Sequence, residues 1–447
     1  MRKRLTFLSA IVLAVALAGA ACSSDDEGTA TTAAPGEGGG DTEELFIDPE
    51  FDCAEDYDGT AGIEGDTIKI GTIRPADGPF AIFDQVTAGL EAFVNAANEA
   101  GGITAGDGNT YQLELVKEND GYDPARTPEL ARKLVEQDNV FALVGVIGTE
   151  NNKAIRDYLN DNCVPNIALA TGSTEWGRAD EYPWYISSLP SYALEANAWA
   201  DYLKDTNPEA KVAILYQDDD FGKAYRAAFE KAIEGSDIEV VAEQGFNPLA
   251  GGTTEAAVVQ LSQSGADTFI VGVSGTPCPQ TLGFIPGTWD PEVFISLTCA
   301  GATAMSIAGD AAEGVIQAQA IYDPSDPADA ALPVVQEFVE RATVGGLDEG
   351  QINGGISAAG WGFGALFAKG LEEAEVVDRA SVMNALFSLE DAAPLGLVRE
   401  GITINTNGAE DPWAVEGYRL VQRNADGSWN ELVGITNREG ESNNLAG

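Results

Sequence analysis

The side chains of this chain best placed to bind a small molecule sit in short, glycine-rich, hydroxylated stretches. These are Arg74-Pro75-Ala76-Asp77-Gly78-Pro79, Gly148-Thr149-Glu150, Thr171-Gly172-Ser173-Thr174, Gln217-Asp218-Asp219-Asp220, Ser274-Gly275-Thr276 and Thr298-Cys299. Several of them open a helix. The first backbone N–H groups of a helix lack partners, and with a hydroxyl nearby they form a cradle for an anion or carboxylate. Ser and Thr are also ordinary N-caps. Thr149 and Ser173-Thr174 supply two such places on neighbouring strand ends, which is the pattern of a ligand site.

Catalysis has little to work with. The chain has no histidine, which excludes a Ser-His-Asp triad, a Cys-His dyad and His-ligated zinc. No G-x-S-x-G elbow or P-loop occurs. Carboxylate-pair chemistry survives in principle, but Asp and Glu number 72, so any pair is weak evidence. The formal net charge of −48 argues against nucleic acid or an anionic membrane surface as partner. The expectation is a binding protein for a small molecule: no enzyme, cofactor, metal site or nucleic-acid partner, and a monomer.

The elements that must position these stretches alternate between strand and helix. Strand patterns at Thr67–Ile73, Tyr111–Val116, Phe141–Ile147 and Val164–Ala170 are separated by helical spacing near 84–100, 125–138 and 150–161. After Tyr185-Ile186 the alternation restarts. Strands at Lys211–Tyr216, Ile238–Ala242, Thr268–Val273 and Val293–Leu297 interleave with helices near 191–205, 221–234 and 254–264. Two such runs predict βαβ units in two doubly wound lobes, with ligands beyond the carboxyl ends of the strands. Tyr418–Arg423, an Asp-Gly turn and Ser428-Trp429 read as a hairpin.

The N-terminus carries an address. Met1-Arg2-Lys3-Arg4 precedes an apolar run from Leu5 to Ala21, shorter than the roughly 20 residues of a membrane span, as in a secretory signal peptide. Leu17-Ala-Gly-Ala-Ala-Cys22 resembles the lipobox of bacterial lipoproteins, whose lipidated cysteine becomes the mature N-terminus. Residues 23–44 are rich in Gly, Thr, Ala and acids and read as a disordered tether. Setting Cys22 aside, an even set of Cys53, Cys163, Cys278 and Cys299 in an exported chain predicts disulfides. Three connectivities exist. Cys278 with Cys299 is favoured because each follows a strand and those strands are consecutive, which leaves Cys53 with Cys163.

Ile68-Lys-Ile-Gly, Asp77-Gly-Pro79, Asn98-Glu-Ala-Gly-Gly-Ile103, Tyr122-Asp-Pro124, Asp219-Asp-Phe-Gly222 and Ile307-Ala-Gly-Asp-Ala-Ala-Glu-Gly314 resemble, in order and spacing, the Leu/Ile/Val-binding type of ABC-transporter solute-binding protein. The resemblance covers about residues 66–435. It implies the type I periplasmic-binding-protein fold: α/β, two doubly wound parallel-sheet lobes joined by a three-crossover hinge. The expected organisation is a signal peptide (1–21), a lipid-anchored tether (22–52), an N-terminal lobe (53–188 with 321–398) and a C-terminal lobe (189–320 with 413–447). Crossovers are expected near Ser187–Leu189, Gln319–Tyr322 and Val398–Trp413.

The same resemblance places ligand contacts at Phe83, Thr149, Ser173, Thr174 and Phe221. It also exposes a departure. Amino-acid binders of this family carry a carboxylate for the ligand's ammonium after the strand that here ends at Leu297, where this chain has Thr298. Either Glu150 or another acid substitutes, or the ligand is not an α-amino acid. Trp176, just beyond Thr174, hints at an aromatic wall, so aromatic or aliphatic carboxylates rival branched-chain amino acids. The implied function is delivery of such a ligand to an ABC permease, with the protein held on the outer face of the cell membrane by Cys22, on the periplasmic side if an outer membrane is present. A ligand-sensing receptor of the same fold is the alternative.

Overall fold

The computed structural model describes residues 46–299, 301–392 and 395–446. The expected signal peptide and Cys22 lie outside the described residues. The end of the stretch read as tether does not behave as one. Ile47 is buried and exchanges backbone hydrogen bonds with the Asn384 amide (2.8 and 2.9 Å), and Pro49–Asp52 is a short helix capped by Asp48. Phe46 packs edge-on against Phe387 at 4.9 Å and the disulfide from Cys53 closes the segment, so a few anchors order it.

Two sheets organise the rest. The first contains β1 (Ile63–Glu64), β2 (Thr67–Arg74), β3 (Ile103–Thr104), β4 (Thr110–Asn119), β5 (Ala142–Val144), β6 (Asn166–Leu169) and β7 (Tyr185–Ser187), in the order β3-β4-β2-β5-β6-β7, with β1 pairing β2. The second contains β8 (Lys211–Gln217), β9 (Glu239–Phe246), β10 (Thr268–Gly272), β11 (Glu292–Ile295), β12 (Ile316–Gln319), β13 (Gly417–Arg423) and β14 (Trp429–Asn437), in the order β14-β13-β12-β11-β10-β8-β9. Each sheet has a five-strand parallel centre of the same winding, β4-β2-β5-β6-β7 and β9-β8-β10-β11-β12. The edges are antiparallel, so both sheets are mixed: β3 on β4, and the hairpin β13–β14 on β12.

The central strands are apolar because helices cover both faces; Ala142–Val144 and Thr268–Gly272 are buried throughout. On the first sheet the helix Ser357–Glu373 lies against the helix Asp84–Glu99 at backbone distance. A Cβ at Gly360 would fall 1.7 Å from the Val86 carbonyl oxygen, and one at Gly89 would fall 1.9 Å from that of Ser357. Disulfides join Cys53 to Cys163 and Cys278 to Cys299, with Cα separations of 5.9 and 5.8 Å. No described helix is long and apolar enough to cross a membrane.

Isolated bridges tie Ser187 to Trp413 and Ile321 to Val398. Beside them Arg399, 4 % exposed, donates to Asp329 Oδ1 (3.0 Å) and Gln319 Oε1 (3.2 Å), and Arg419 donates to the same Gln319 oxygen at 2.9 Å. These hydrogen bonds satisfy a buried charge pair that would otherwise be costly.

Candidate functional site

The parallel strands of both lobes point their carboxyl ends into one cleft. In each sheet the first strand, β2 or β8, is flanked by strands leaving in opposite directions, and such switch points open a crevice for ligands. The cleft encloses a cavity of about 200 Å³. Its first-lobe wall includes Phe83, Gly148 and Thr149; its second-lobe wall includes Glu195, Phe221, Ser274, Thr298 and Gln317. It extends toward the hinge along Ala358, Ala359, Gly362, Leu397 and Val398, where the lining is apolar.

Local chemistry explains each placement. Thr149 opens the helix Thr149–Asp161, whose N-cap, Gly148, has φ +106 and no side-chain cap. A Cβ at Gly148 would meet Asn151 Oδ1 at 2.4 Å and the Tyr122 ring at 2.8 Å. The N–H groups of the first turn have no side-chain cap, and such groups suit an anion. Thr149 Oγ1 is hydrogen-bonded to Thr171 Oγ1 at 2.7 Å. On the facing side, Asp219 caps the helix Asp220–Ala232 by accepting from the Gly222 N–H (3.1 Å), and this sets Phe221 at the wall, 2 % exposed. Ser274 Oγ donates to Gln217 Oε1 at 3.0 Å, and Gln217 in turn donates to Asp219. Burial raises the Asp219 carboxyl above its ordinary range.

Of the residues singled out from sequence, the cavity brings together Phe83, Thr149, Phe221 and Thr298. Ser173, Thr174, Trp176 and Glu150 are not on its wall. Ser173 is buried, with its N–H turned to Thr171 Oγ1 (3.3 Å), and Thr174 begins the 3-10 turn Thr174–Gly177. Trp176 is core: it stacks on Tyr185 at 5.6 Å and its Nε1–H donates to Thr171 Oγ1 at 3.3 Å. Glu150 sits at the seam between the lobes. It accepts from the Asp220 backbone N–H (3.4 Å), while Lys153 donates to Asp220 Oδ2 (2.7 Å). Burial, then the charge of Asp219, raises the Glu150 carboxyl. A second seam contact runs from the Thr276 N–H to the Pro79 carbonyl (3.1 Å), so the lobes touch across the cleft mouth.

Sequence reasoning missed Glu195. It lies in the first turn of the helix Tyr192–Thr206, is 1 % exposed, and accepts at Oε2 from the Tyr225 hydroxyl (2.5 Å) and the Leu297 N–H (3.1 Å). Burial pushes its carboxyl up to about 8. The available signal was its company: Tyr192, Glu195 and Trp199 share one helical face, and both aromatics are buried.

Residues 67–427 match the profile of a family described as Periplasmic binding protein. Among curated proteins, the Leu/Ile/Val-binding protein homolog 3 of Brucella melitensis biotype 1 is 30% identical over 207 residues, 46% of this chain and 54% of that one. The matched stretch thus spans about half the length of that relative. Among solved structures, a branched chain amino acid ABC transporter from Thermus thermophilus with bound valine superposes with a TM-score of 0.73 at 18% identity, covering 84% of this chain and 97% of that one. A solute binding protein of an ABC transporter from Rhodopseudomonas palustris HaA2, in complex with p-hydroxybenzoic acid, gives 0.68 at 22% identity, covering 84% and 98%. Both likenesses show the fold.

Proposed function

Because the chain belongs to the periplasmic binding protein family, we propose that it is an extracytoplasmic solute-binding protein that closes on a small organic ligand and hands it to an ABC importer. The observation that carries this reading is the enclosed cleft between two strand-end edges, lined mainly by apolar side chains, with a free helix N-terminus on one wall. The mechanism is hinge closure. One lobe receives the ligand's carboxylate at Gly148-Thr149, and the other adds contacts made only when the lobes meet, which shifts the population to the closed state. Nothing in the cycle is chemically transformed, and the protein acts as a monomer.

The ligand is a branched-chain amino acid or a related carboxylate. The relatives with bound valine and p-hydroxybenzoic acid support an organic acid, and the apolar extension of the cavity suits an aliphatic or aromatic body. Two disulfides suit an oxidising compartment. Lipidation of Cys22 would hold the protein beside its permease. A thermal-shift screen of leucine, isoleucine, valine, their 2-keto and deaminated analogues, and benzoate-type acids tests the reading. A true ligand at about 100 times its Kd stabilises the fold by about 2.7 kcal/mol. A folded protein that no small organic molecule stabilises would refute it.

A further inference from the structure

The cavity wall carries polar atoms that nothing in the protein satisfies. Glu195 Oε1, Gln317 Oε1 and Ser188 Oγ are buried, belong to lining residues and meet no hydrogen-bond partner. Buried polar atoms are ordinarily paired, and an unpaired one in a binding cavity points to a ligand. Glu195 is the most informative, because its two oxygens differ. Oε2 already takes the Tyr225 hydroxyl and the Leu297 N–H from the wall behind it. Oε1 has no hydrogen-bond partner by distance and angle, with the Ala318 N–H beside the carboxyl, and on a residue that lines the cavity it is the oxygen open to a ligand.

The surroundings hold no positive charge. Among the described residues, no Lys or Arg lines the cavity. The groups that face Glu195 are Tyr192 on its own helix, Tyr225 on the helix Asp220–Ala232, and the N–H groups of Leu297 and Ala318. The other carboxylate on the wall, Asp323, is occupied: it accepts from Trp429 Nε1–H (3.1 Å) and from Ser325 N–H (2.9 Å). Burial without a cation keeps a carboxyl neutral.

We propose that Glu195 is a ligand-binding residue that works as a neutral acid, its Oε1–H donating to an uncharged oxygen of the ligand while the ligand's carboxylate lies at Gly148-Thr149. This rests on the solute-binding reading and narrows its ligand class to amine-free organic acids that carry a ketone, ether or hydroxyl oxygen. It also removes the need for an acid at position 298, where the chain has Thr298.

Isothermal titration tests it with three probes: leucine, its 2-keto analogue 4-methyl-2-oxopentanoate, and 4-hydroxybenzoate. The proteins are wild type, Glu195→Gln and Glu195→Leu, between about pH 6 and about pH 9.5. An amine-free acid should bind. Its Kd should rise about tenfold or more in Glu195→Leu but stay within about threefold in Glu195→Gln, whose amide N–H replaces the O–H. In wild type the affinity should fall as pH climbs past about 8, and in Glu195→Gln it should stay flat. An infrared band of a protonated carboxyl present in wild type at neutral pH, lost at high pH and missing from Glu195→Gln, reads the same state apart from Glu416 and Glu439, which are also raised, to about 7; the absence of that difference overturns the proposal.

Leucine binding that tightens with pH and is lost in Glu195→Gln would overturn it in favour of an ionised partner for an ammonium. Equal binding by all three proteins would show that Glu195 does not touch the ligand. Wild type that refuses all three probes yet is stabilised by another small molecule in the thermal-shift screen overturns the ligand class and leaves the solute-binding reading standing; no stabilisation by anything overturns both.

Discussion

Gly275 is the position where one methyl group should separate closure from folding. Its φ is +65, and a Cβ there would fall 2.7 Å from Phe80 Cδ1 and 3.0 Å from the Pro79 carbonyl oxygen. Phe80 has little room to retreat: it is fully buried and stacked on Tyr122 with centroids 3.8 Å apart. Gly275 follows β10 of the second sheet and Phe80 follows β2 of the first, so the two meet only when the lobes are together. Gly275→Ala therefore has two separable costs. A side chain in left-handed backbone costs roughly 1–2 kcal/mol whether the lobes are open or closed, and lowers stability alone. The overlap with Phe80 arises only on closure, and overpacking of this kind costs about 1–3 kcal/mol, a Kd about 5- to 150-fold weaker. Titration calorimetry with a ligand found by thermal shift reads the second cost; the melting temperature of unliganded protein reads the first. A variant that melts earlier but binds within about twofold of wild type would refute the assignment of this contact to the closed state.

Three further perturbations probe the frame. Arg399→Met leaves the buried Asp329 with Arg419, 3.6 Å away, as its remaining cation and should destabilise by about 1.5–3 kcal/mol in urea unfolding; a loss under about 1 kcal/mol would mean water reaches the pair. Asp411, Glu416 and Glu439 bring carboxylate oxygens within 4.8 Å of one another, and burial, then mutual repulsion, pushes Glu439 up to about 7. A carboxyl raised on folding favours the folded state at low pH, and that contribution is lost as pH rises from about 4.5 to about 7. Glu439→Gln should thus raise the melting temperature more at pH 8 than at pH 5, and a difference independent of pH would contradict the repulsion. Cys22→Ser should release the protein to the medium or leave an uncleaved precursor; lipid labelling unchanged from wild type would end the anchoring proposal.

The parts of the fold that periodicity reveals are those where one face meets water. Helices such as Asp84–Glu99 show a clear pattern, and the ends of the apolar runs between such helices point to Thr149, Phe221 and Thr298. Between residues 301 and 416 the resemblance marks a motif and two crossovers, but periodicity reveals no strand or helix, for two reasons. β12 is four residues, Ile-Gln-Ala-Gln, buried along its length, so its glutamines read as surface while they serve the cavity and the hinge. The helix Ser357–Glu373 holds Gly360, Gly362, Gly364 and Gly370, which read as breakers. At Gly360 the missing side chain is what lets the two helices approach. Glu195 escaped notice because an acid in a helix's first turn normally answers the macrodipole at the surface. Ser173, Thr174 and Trp176 lie off the cavity wall, in a loop whose Thr171 hydroxyl accepts from the Ser173 N–H and the Trp176 Nε1–H.

The central claim is that a small organic acid occupies the cleft between Thr149 and Glu195. Crystallography of the protein purified from its native host, with mass spectrometry of what is released on denaturation, tests it most directly. The account predicts one small carboxylate per chain, with density from the Gly148-Thr149 helix start to Glu195 Oε1 and its apolar body toward Gly362. A closed structure whose cleft holds only water, or a co-purified molecule seated outside it, would contradict the account.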